Sequence, residues 1–236
     1  MGAMRSRLRR WHVWLGWIVG LPILLLVVSG LIMVAKPIEE VRGEHLLSEE
    51  KPMRMALPPV PPAVGGVALS ALALEQRAAG PRWVVTMPDG TTRLADPNSG
   101  ALLPPLSAAD AVREVTARYT GNAKVASATR TDAKNPPLEF RRPIAAWKVA
   151  MDDGTHFYVD AGSGAIVARR TGWWRFYDLM WGLHIMDLKT REDAHNPLTI
   201  GFAVVALGLS ILAIIQLPLT IRRRRKAKPR DTKSGG

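Results

Sequence analysis

The sequence predicts an α+β membrane protein in which two transmembrane helices flank an extracytoplasmic pair of similar units, each a helix on a small antiparallel sheet. Three observations lead to this fold class. Two uncharged runs of about 25 residues lie near the ends of the chain, and a bilayer core requires roughly 20. Most of the net charge of +12 lies outside these runs, close to the two termini. Two segments between the runs repeat one pattern of apolar, Asp-Gly and Ser-Gly positions.

The two uncharged runs extend over residues 11–35 and 197–221, and we predict one transmembrane helix from each. A cleaved signal peptide is the alternative for the first run. The apolar part of a signal peptide has about 7–15 residues and is followed by a small-x-small cleavage site. The first run is longer, and Met33-Val34-Ala35 fits such a site poorly, so the sequence favours an uncleaved anchor.

The basic residues indicate how the chain is oriented in the membrane. Residues 1–10 contain four arginines, and residues 222–236 contain eight basic side chains against the single acid Asp231. A nucleic-acid-binding domain would spread its basic residues over a folded face, so we expect no nucleic-acid partner. The positive-inside rule instead places both tails in the cytoplasm. The middle of the chain, nearly neutral and free of cysteine, then suits the periplasm of a bacterium.

Residues 82–102 and 146–166 form an internal repeat, in which 10 of 21 positions are identical at an offset of 64 without a gap. Apolar residues alternate with others in both copies, which predicts strands. Asp-Gly is a strong hairpin signal, because a type I′ turn requires positive φ at both central residues. Each copy therefore predicts a three-stranded meander on the shared positions Trp83/Trp147, Val85/Val149, Met87/Met151, Asp89-Gly90-Thr91/Asp153-Gly154-Thr155, Asp96/Asp160 and Ser99-Gly100-Ala101/Ser163-Gly164-Ala165.

A helix is predicted before each meander. Ser107 and Asp110 resemble a capping box that begins a helix extending to about Tyr119. The weaker equivalent in the first copy is the segment from Leu69 to Ala79. The second copy adds a strand over residues 124–131. Units this small bury little surface alone, so we expect the two to pack together.

The remaining segment, 172–196, is apolar with few charges. As a third span it would place the basic residues after 221 outside the cell, so we predict an interfacial amphipathic helix and loop instead. The predicted organisation is a cytoplasmic basic tail (1–10), transmembrane helix (11–35), linker (36–66), first unit (67–105), second unit (106–171), interfacial segment (172–196), transmembrane helix (197–221) and cytoplasmic basic tail (222–236).

Three motifs in this order resemble the PepSY-associated transmembrane family. They are Trp11-His12-x-x-x-Gly16-x-x-x-Gly20-x-Pro22 with Ser29-Gly30, the meander pattern W-x-V-x-M-x-x-G, and Trp173 to His184 before the last span. The resemblance implies an inner-membrane protein with periplasmic PepSY modules, in a family whose larger members include iron-regulated proteins and ferrisiderophore reductases. Those reductases hold b-type haem between membrane histidines. This chain has two predicted spans instead of four, so autonomous reductase activity does not follow.

The resemblance makes His12, His184 and His195 candidate haem ligands. His12 is equally well explained as an interfacial residue among tryptophans, and His184 and His195 as contacts to lipid head groups. His184 with His195 or His45 could also chelate one haem or metal. His12 lies near the inner face and the other two near the outer face, so about 30 Å of bilayer core keeps them from sharing one iron. We expect His156 to be an exposed strand residue.

Gly16 and Gly20 in the first span are four residues apart, a spacing that lets helix backbones approach closely. The motif predicts a homodimer or a larger membrane complex, although chance spacing explains it as well. A bis-histidine site at the inner face would need a histidine of another chain, for example His12 across such a dimer. Lipid, a siderophore and a periplasmic protein such as a protease or receptor are the other expected partners. The sequence contains no recognisable catalytic motif.

The predicted topology can be tested by cysteine labelling, because the chain has no cysteine of its own. In intact cells, a membrane-impermeant maleimide should label Asn98→Cys, in the predicted periplasmic part. It should not label Ser6→Cys or Ser234→Cys until the membrane is permeabilised, since both tails are expected inside. Labelling of either tail in intact cells would contradict the two-pass topology.

Overall fold

The computed structural model describes residues 2–50, 52–55 and 57–226, and the side chains of 2–13, 15, 212, 213 and 215–226 lie outside that description. It divides into two compact units. The sheet unit is Val34–Asp178, and the helical unit comprises Met1–Met33 and Leu179–Gly236. In chain order the helices are α1 (Gly2–Met33), α2 (Ile38–Val41), α3 (Ala108–Thr116), α4 (Gly172–His184) and α5 (Pro197–Lys226), and the strands are β1 (Ala71–Arg77), β2 (Gly80–Thr86), β3 (Thr92–Ala95), β4 (Val125–Thr131), β5 (Ala146–Met151), β6 (His156–Asp160) and β7 (Ile166–Arg170).

The sheet unit has two antiparallel sheets, in the orders β1-β2-β3 and β4-β5-β6-β7. The predicted helix from Leu69 to Ala79 is wrong, because most of this segment is strand β1. Alanine and leucine favour a helix intrinsically, but tertiary context overrides such weak preferences. Here the two-residue link after Arg77 returns the chain along β2, so that Arg77 pairs with Gly80 and Ala71 with Thr86. The first copy therefore provides a sheet without a helix of its own.

Helix α3 begins as predicted. The Ser107 hydroxyl accepts a hydrogen bond from the Asp110 N–H, and the Asp110 carboxylate accepts one from the Ser107 N–H, which completes the capping box. The helix ends at Thr116, three residues before the predicted end. Its buried residues join strands of both sheets in one apolar core, which confirms that the units pack together. The buried members of this core are Val84, Leu94, Leu106, Ala111, Val115, Val149, Met151, Phe157 and Val159.

Both Asp-Gly hairpins are present, but their predicted turn type is wrong. In the loop 152–154, Gly154 has φ of 81° and neither aspartate has positive φ. The Met151 N–H donates to the Thr155 carbonyl, so the loop has three residues instead of the two of a type I′ turn. The loop before Thr91 repeats this geometry, with Gly90 at 81°. A single left-handed residue suffices in such a loop, and glycine adopts that conformation without steric cost.

Helix α1 contains an apolar stretch, Gly16–Met33, that is long enough to cross a membrane. Most of its described large side chains are exposed, as lipid-facing residues are in the absence of lipid. In α5 the apolar stretch found among the described residues is Pro197–Ile211, which is shorter. The rest of the predicted second span consists mainly of residues whose side chains lie outside the description. The second span therefore stays a prediction.

The shared core generates a stability prediction. Phe157 is fully buried and packs edge-on against Tyr119, with ring centroids 5.6 Å apart. Phe157→Ala should lower the free energy of unfolding by about 3–5 kcal/mol, because it leaves a cavity in the core. The control Leu72→Ala removes a side chain that is 41% exposed and should cost about 0.5 kcal/mol. Urea unfolding of residues 34–178, followed by tryptophan fluorescence, measures both, and equal losses would contradict the shared core.

Candidate functional site

His184, the last residue of α4, contacts helix α1 within the helical unit. Its Nδ1 atom lies 3.1 Å from the Ser29 hydroxyl oxygen. Ser29 is only 2% exposed, whereas α1 is otherwise largely exposed along its described side chains. Buried polar groups require hydrogen-bond partners, and here the hydroxyl also reaches the Leu26 carbonyl at 3.1 Å. The contact therefore fixes the imidazole against a specific point of α1.

Gly30 gives the imidazole room beside α1. A Cβ atom built on Gly30 would stand 3.5 Å from the His184 Cε1 atom, in ordinary van der Waals contact. Alanine would fit there, whereas a longer side chain would have to displace the ring. The Ser29-Gly30 step thus supplies both a hydrogen-bond partner and space for the ring.

The residue after His184 is held by helix α5. The Ile185 carbonyl accepts hydrogen bonds from the Asn196 amide at 3.0 Å and from the Thr199 hydroxyl at 2.5 Å. The Asn196 side-chain oxygen in turn accepts from the Thr199 N–H at 2.9 Å and caps the start of α5. The end of α4 is thereby tied to α5 through Ile185 and to α1 through His184.

Helix α4 ends in a Schellman motif. The Asp187 N–H donates to the Gly182 carbonyl at 2.9 Å, and the Met186 N–H donates to the Leu183 carbonyl at 3.2 Å. Met186 has φ of 55° at the position that glycine usually occupies. The helix therefore ends at His184, and Leu188 lies in the loop that follows it.

An ordered loop follows the helix. The Asp187 carboxylate accepts hydrogen bonds from the Thr190 hydroxyl and from the backbone N–H groups of Thr190, Glu192 and Asp193. These bonds, the Thr190 hydroxyl first, hold the pKa of Asp187 well below its usual range. The carboxylate therefore stays ionised and keeps the loop folded around it. His195 is exposed at the end of this loop, and its own N–H donates to Asp193.

The predicted haem ligands have different surroundings. His184 is half-buried on α1, His195 is exposed in the loop, and the side chain of His12 lies outside the described residues. His45 is exposed in the sheet unit. Within the part of the chain that is described, no three His, Cys, Asp or Glu residues are grouped so that they could hold a metal ion. Of these histidines, His184 is the one whose imidazole has a defined partner on α1.

A second polar cluster lies in the sheet unit around Glu139. Its Oε1 atom accepts from the Tyr158 hydroxyl and contacts His156 Nδ1, both at 2.6 Å, and its Oε2 atom accepts from Arg175 at 3.2 Å. The expectation of an exposed His156 is wrong, because Glu139 covers it and leaves its side chain 23% exposed. The Arg175 contact joins the first turn of α4 to the second sheet.

Burial and hydrogen bonds shift the pKa values of this cluster. Burial alone would raise the pKa of Glu139, but the hydrogen bonds from Tyr158 and His156 outweigh it and hold this pKa below its ordinary value. Burial, with the bond to Glu139, raises the pKa of Tyr158. Burial lowers the pKa of Arg170 to about 10, and its guanidinium lies 4.0 Å from the centroid of the Trp174 ring. The charged and polar groups of this cluster, here called the Glu139 joint, are paired with one another.

Sequence reasoning missed Ser29 as the partner of His184 and Glu139 as the partner of His156. A polar residue inside an apolar span was the available signal for Ser29, since such residues usually face a partner. Glu139 gave no such signal, because it lies in a polar stretch that reads as a surface connection. Its burial depends on residues that are distant in sequence.

The chain combines an apolar helix long enough to cross a bilayer with a unit of two antiparallel sheets, which is the make-up of a membrane protein with an α+β domain. The chain belongs to the PepSY-associated TM region family, whose sequence profile matches residues 9–236. No curated protein and no solved structure gave a match. Family membership confirms the resemblance carried by the motifs around His12 and His184.

The Glu139 joint predicts a pH-dependent contribution to stability. A carboxyl group whose pKa is lowered by folding stabilises the protein above its unfolded pKa of about 4.3, and this contribution is lost as pH falls through the folded value. Glu139→Gln should therefore lower the free energy of unfolding by about 1–3 kcal/mol at pH 7, with the difference shrinking below about pH 4. Urea unfolding of residues 34–178 at pH values from about 3 to about 7, a range that includes the pKa of an ordinary carboxyl group, measures this difference.

Glu49→Gln is the matched control, because Glu49 is exposed. It should leave the pH profile of the wild-type fragment unchanged. If Glu139→Gln lowered the free energy of unfolding by the same amount at every pH, the result would contradict an ionised Glu139 carboxylate in the joint.

Proposed function

We propose that the chain is a two-pass inner-membrane PepSY protein that assists iron–siderophore uptake or reduction, with His184 as an axial ligand of a b-type haem. The contact of His184 with Ser29 carries this proposal. It occupies Nδ1 and leaves Nε2 without a hydrogen bond to any described residue. A neutral imidazole is a normal axial ligand of haem iron, and its other ring nitrogen usually has a hydrogen-bond partner.

Among the described residues, His184 fits the role of one axial ligand of the haem iron. The second ligand would come from another chain, since His195 is exposed in its own loop and His12 belongs to the opposite membrane face. Gly16 and Gly20 support a dimer as the source, because a Cβ atom at either position would meet nothing described within 4 Å. A helix of a second copy could approach this open face closely. His12 would then belong to a separate site at the inner face of the same dimer.

His184 would hold the iron of such a haem, with its imidazole oriented by Ser29. When bound, the haem would supply one-electron chemistry between a cytoplasmic or quinone donor and a ferric siderophore. Residues 36–196 would lie in the periplasm, with PepSY units at 67–105 and 106–171 and the basic tails inside the cell. The apolar stretch Pro197–Ile211 of α5 would form the first part of the second span.

A second candidate function is a non-enzymatic module that binds or regulates a partner protein, such as a protease or receptor. It is favoured by a cleft of about 200 Å³ between the first sheet and α3, with apolar walls at Leu94, Leu103 and Leu106 and a rim that includes Arg82 and Arg113. Clefts that enclose drug-sized ligands have about 300–1,000 Å³, so this one suits a side chain of a partner better than a whole siderophore. In this case the spans serve as anchors.

The visible spectrum discriminates the two functions. Protein purified in detergent from haem-replete cells should show a Soret band that shifts on reduction with dithionite, because a ligated haem iron changes oxidation state. His184→Ala should abolish or strongly weaken the band, since it removes the ligand. The control Asn98→Ala changes an exposed residue of the sheet unit that is not a candidate ligand, and it should leave the band intact. A colourless wild-type protein would refute the haem proposal and favour the binding module.

A further inference from the structure

The hydrogen bonds around Ser29 determine where the proton of His184 resides. The Ser29 hydroxyl oxygen lies 3.1 Å from the Leu26 carbonyl oxygen and 3.1 Å from His184 Nδ1. A carbonyl can only accept, and a serine hydroxyl has one hydrogen to donate. When that hydrogen points to Leu26, the oxygen accepts a hydrogen bond from a protonated Nδ1. We infer that Ser29 is a positioning residue that holds His184 with its proton on Nδ1 and a lone pair on Nε2.

The opposite tautomer satisfies fewer donors. With the proton on Nε2, the Ser29 hydroxyl would donate to Nδ1, and the Nε2–H group would have no partner among the described residues. With the proton on Nδ1, both donors are satisfied, and the one unmet group is the Nε2 acceptor. Unpaired N–H donors are rarer in folded proteins than under-satisfied acceptors. The Nδ1–H tautomer is therefore the one that this environment selects.

The backbone fixes the direction of the Nε2 lone pair. Ile185, next in the chain, is held by Asn196 and Thr199 of the α5 cap, so the end of α4 cannot rotate freely. Gly30 leaves room for the ring, since a Cβ atom built there would already stand 3.5 Å from His184 Cε1. The result is a preoriented imidazole acceptor, and its use as an iron ligand rests on the proposed function. The tautomer itself rests on the geometry alone.

Nuclear magnetic resonance tests the tautomer without haem. The haem-free full-length protein in detergent, labelled with ¹⁵N-histidine, gives distinct shifts for protonated and unprotonated ring nitrogens. His184→Gln assigns the His184 signals by their loss. In the wild type, Nδ1 should show the shift of a protonated nitrogen and Nε2 that of an unprotonated one. Ser29→Ala should move the population toward the Nε2–H tautomer, and Ser29→Thr, which keeps a hydroxyl, should restore the wild-type pattern.

Ser210→Ala is the matched control, because the Ser210 hydroxyl makes the same kind of bond to a helix carbonyl, that of Ala206, on the exposed surface of α5. It should leave the His184 shifts unchanged. An unprotonated Nδ1 in the wild type would overturn the inference, as would a Ser29→Ala spectrum identical to the wild type. If Ser29→Ala and Ser29→Thr both perturb the fold, the wild-type shifts still decide the question.

A second readout separates this inference from the haem proposal. If the protein binds haem, Ser29→Ala should retain the Soret band but raise the midpoint potential, because an imidazole that loses its Nδ1–H hydrogen bond donates less electron density to ferric iron. A protonated Nδ1 in a protein that never binds haem would support the inference and refute the proposed function. Haem binding with an unprotonated Nδ1 in the haem-free protein would refute the inference alone.

Discussion

The sheet unit depends on one apolar core that is shared by both sheets. The buried residues of helix α3 belong to this core. The first copy has strand β1 in place of a helix, and Val84 and Leu94 of its sheet lie in one apolar core with Ala111 and Val115 of α3. Arg77 links the same two copies: its side chain is 5% exposed, pairs with Glu75 and donates to the Ser163 carbonyl. Buried residues of the two sheets therefore belong to one shared apolar core.

In both units a polar side chain with little exposure is found with hydrogen-bond partners. A buried donor or acceptor that loses its partner costs more free energy than the bond itself contributes on average. The Ser29 hydroxyl is accordingly paired with the Leu26 carbonyl and the His184 imidazole, and Glu139 is paired with Tyr158, His156 and Arg175. The two clusters differ in what they leave open. The charged groups of the Glu139 cluster pair with one another, whereas His184 Nε2 has no hydrogen bond to any residue that the structure describes.

Much of the fold could be predicted from local patterns. The capping box at Ser107 and the paired Asp-Gly loops gave element positions within a few residues, since these signals act between near neighbours in the chain. The segment from Leu69 to Ala79 was assigned wrongly because its propensity and its tertiary environment disagree, and the environment contributes more. Of the candidate site, the family resemblance predicted His184. Ser29 was noted only as part of a family motif, and its contact with His184 was not predicted.

The sequence by itself determined the features that depend on neighbouring residues. These are the length of the apolar runs, the charge of the tails and the positions of the turns. The sequence established the first apolar helix, the two meanders, helix α3 and the family. Only the tertiary structure decided that one helix joins both sheets, that Glu139 covers His156, and that Ser29 meets His184. The last pair is separated by 155 positions. Such contacts depend on how whole elements pack, and no local pattern of apolar and polar residues specifies which side chains will then face each other.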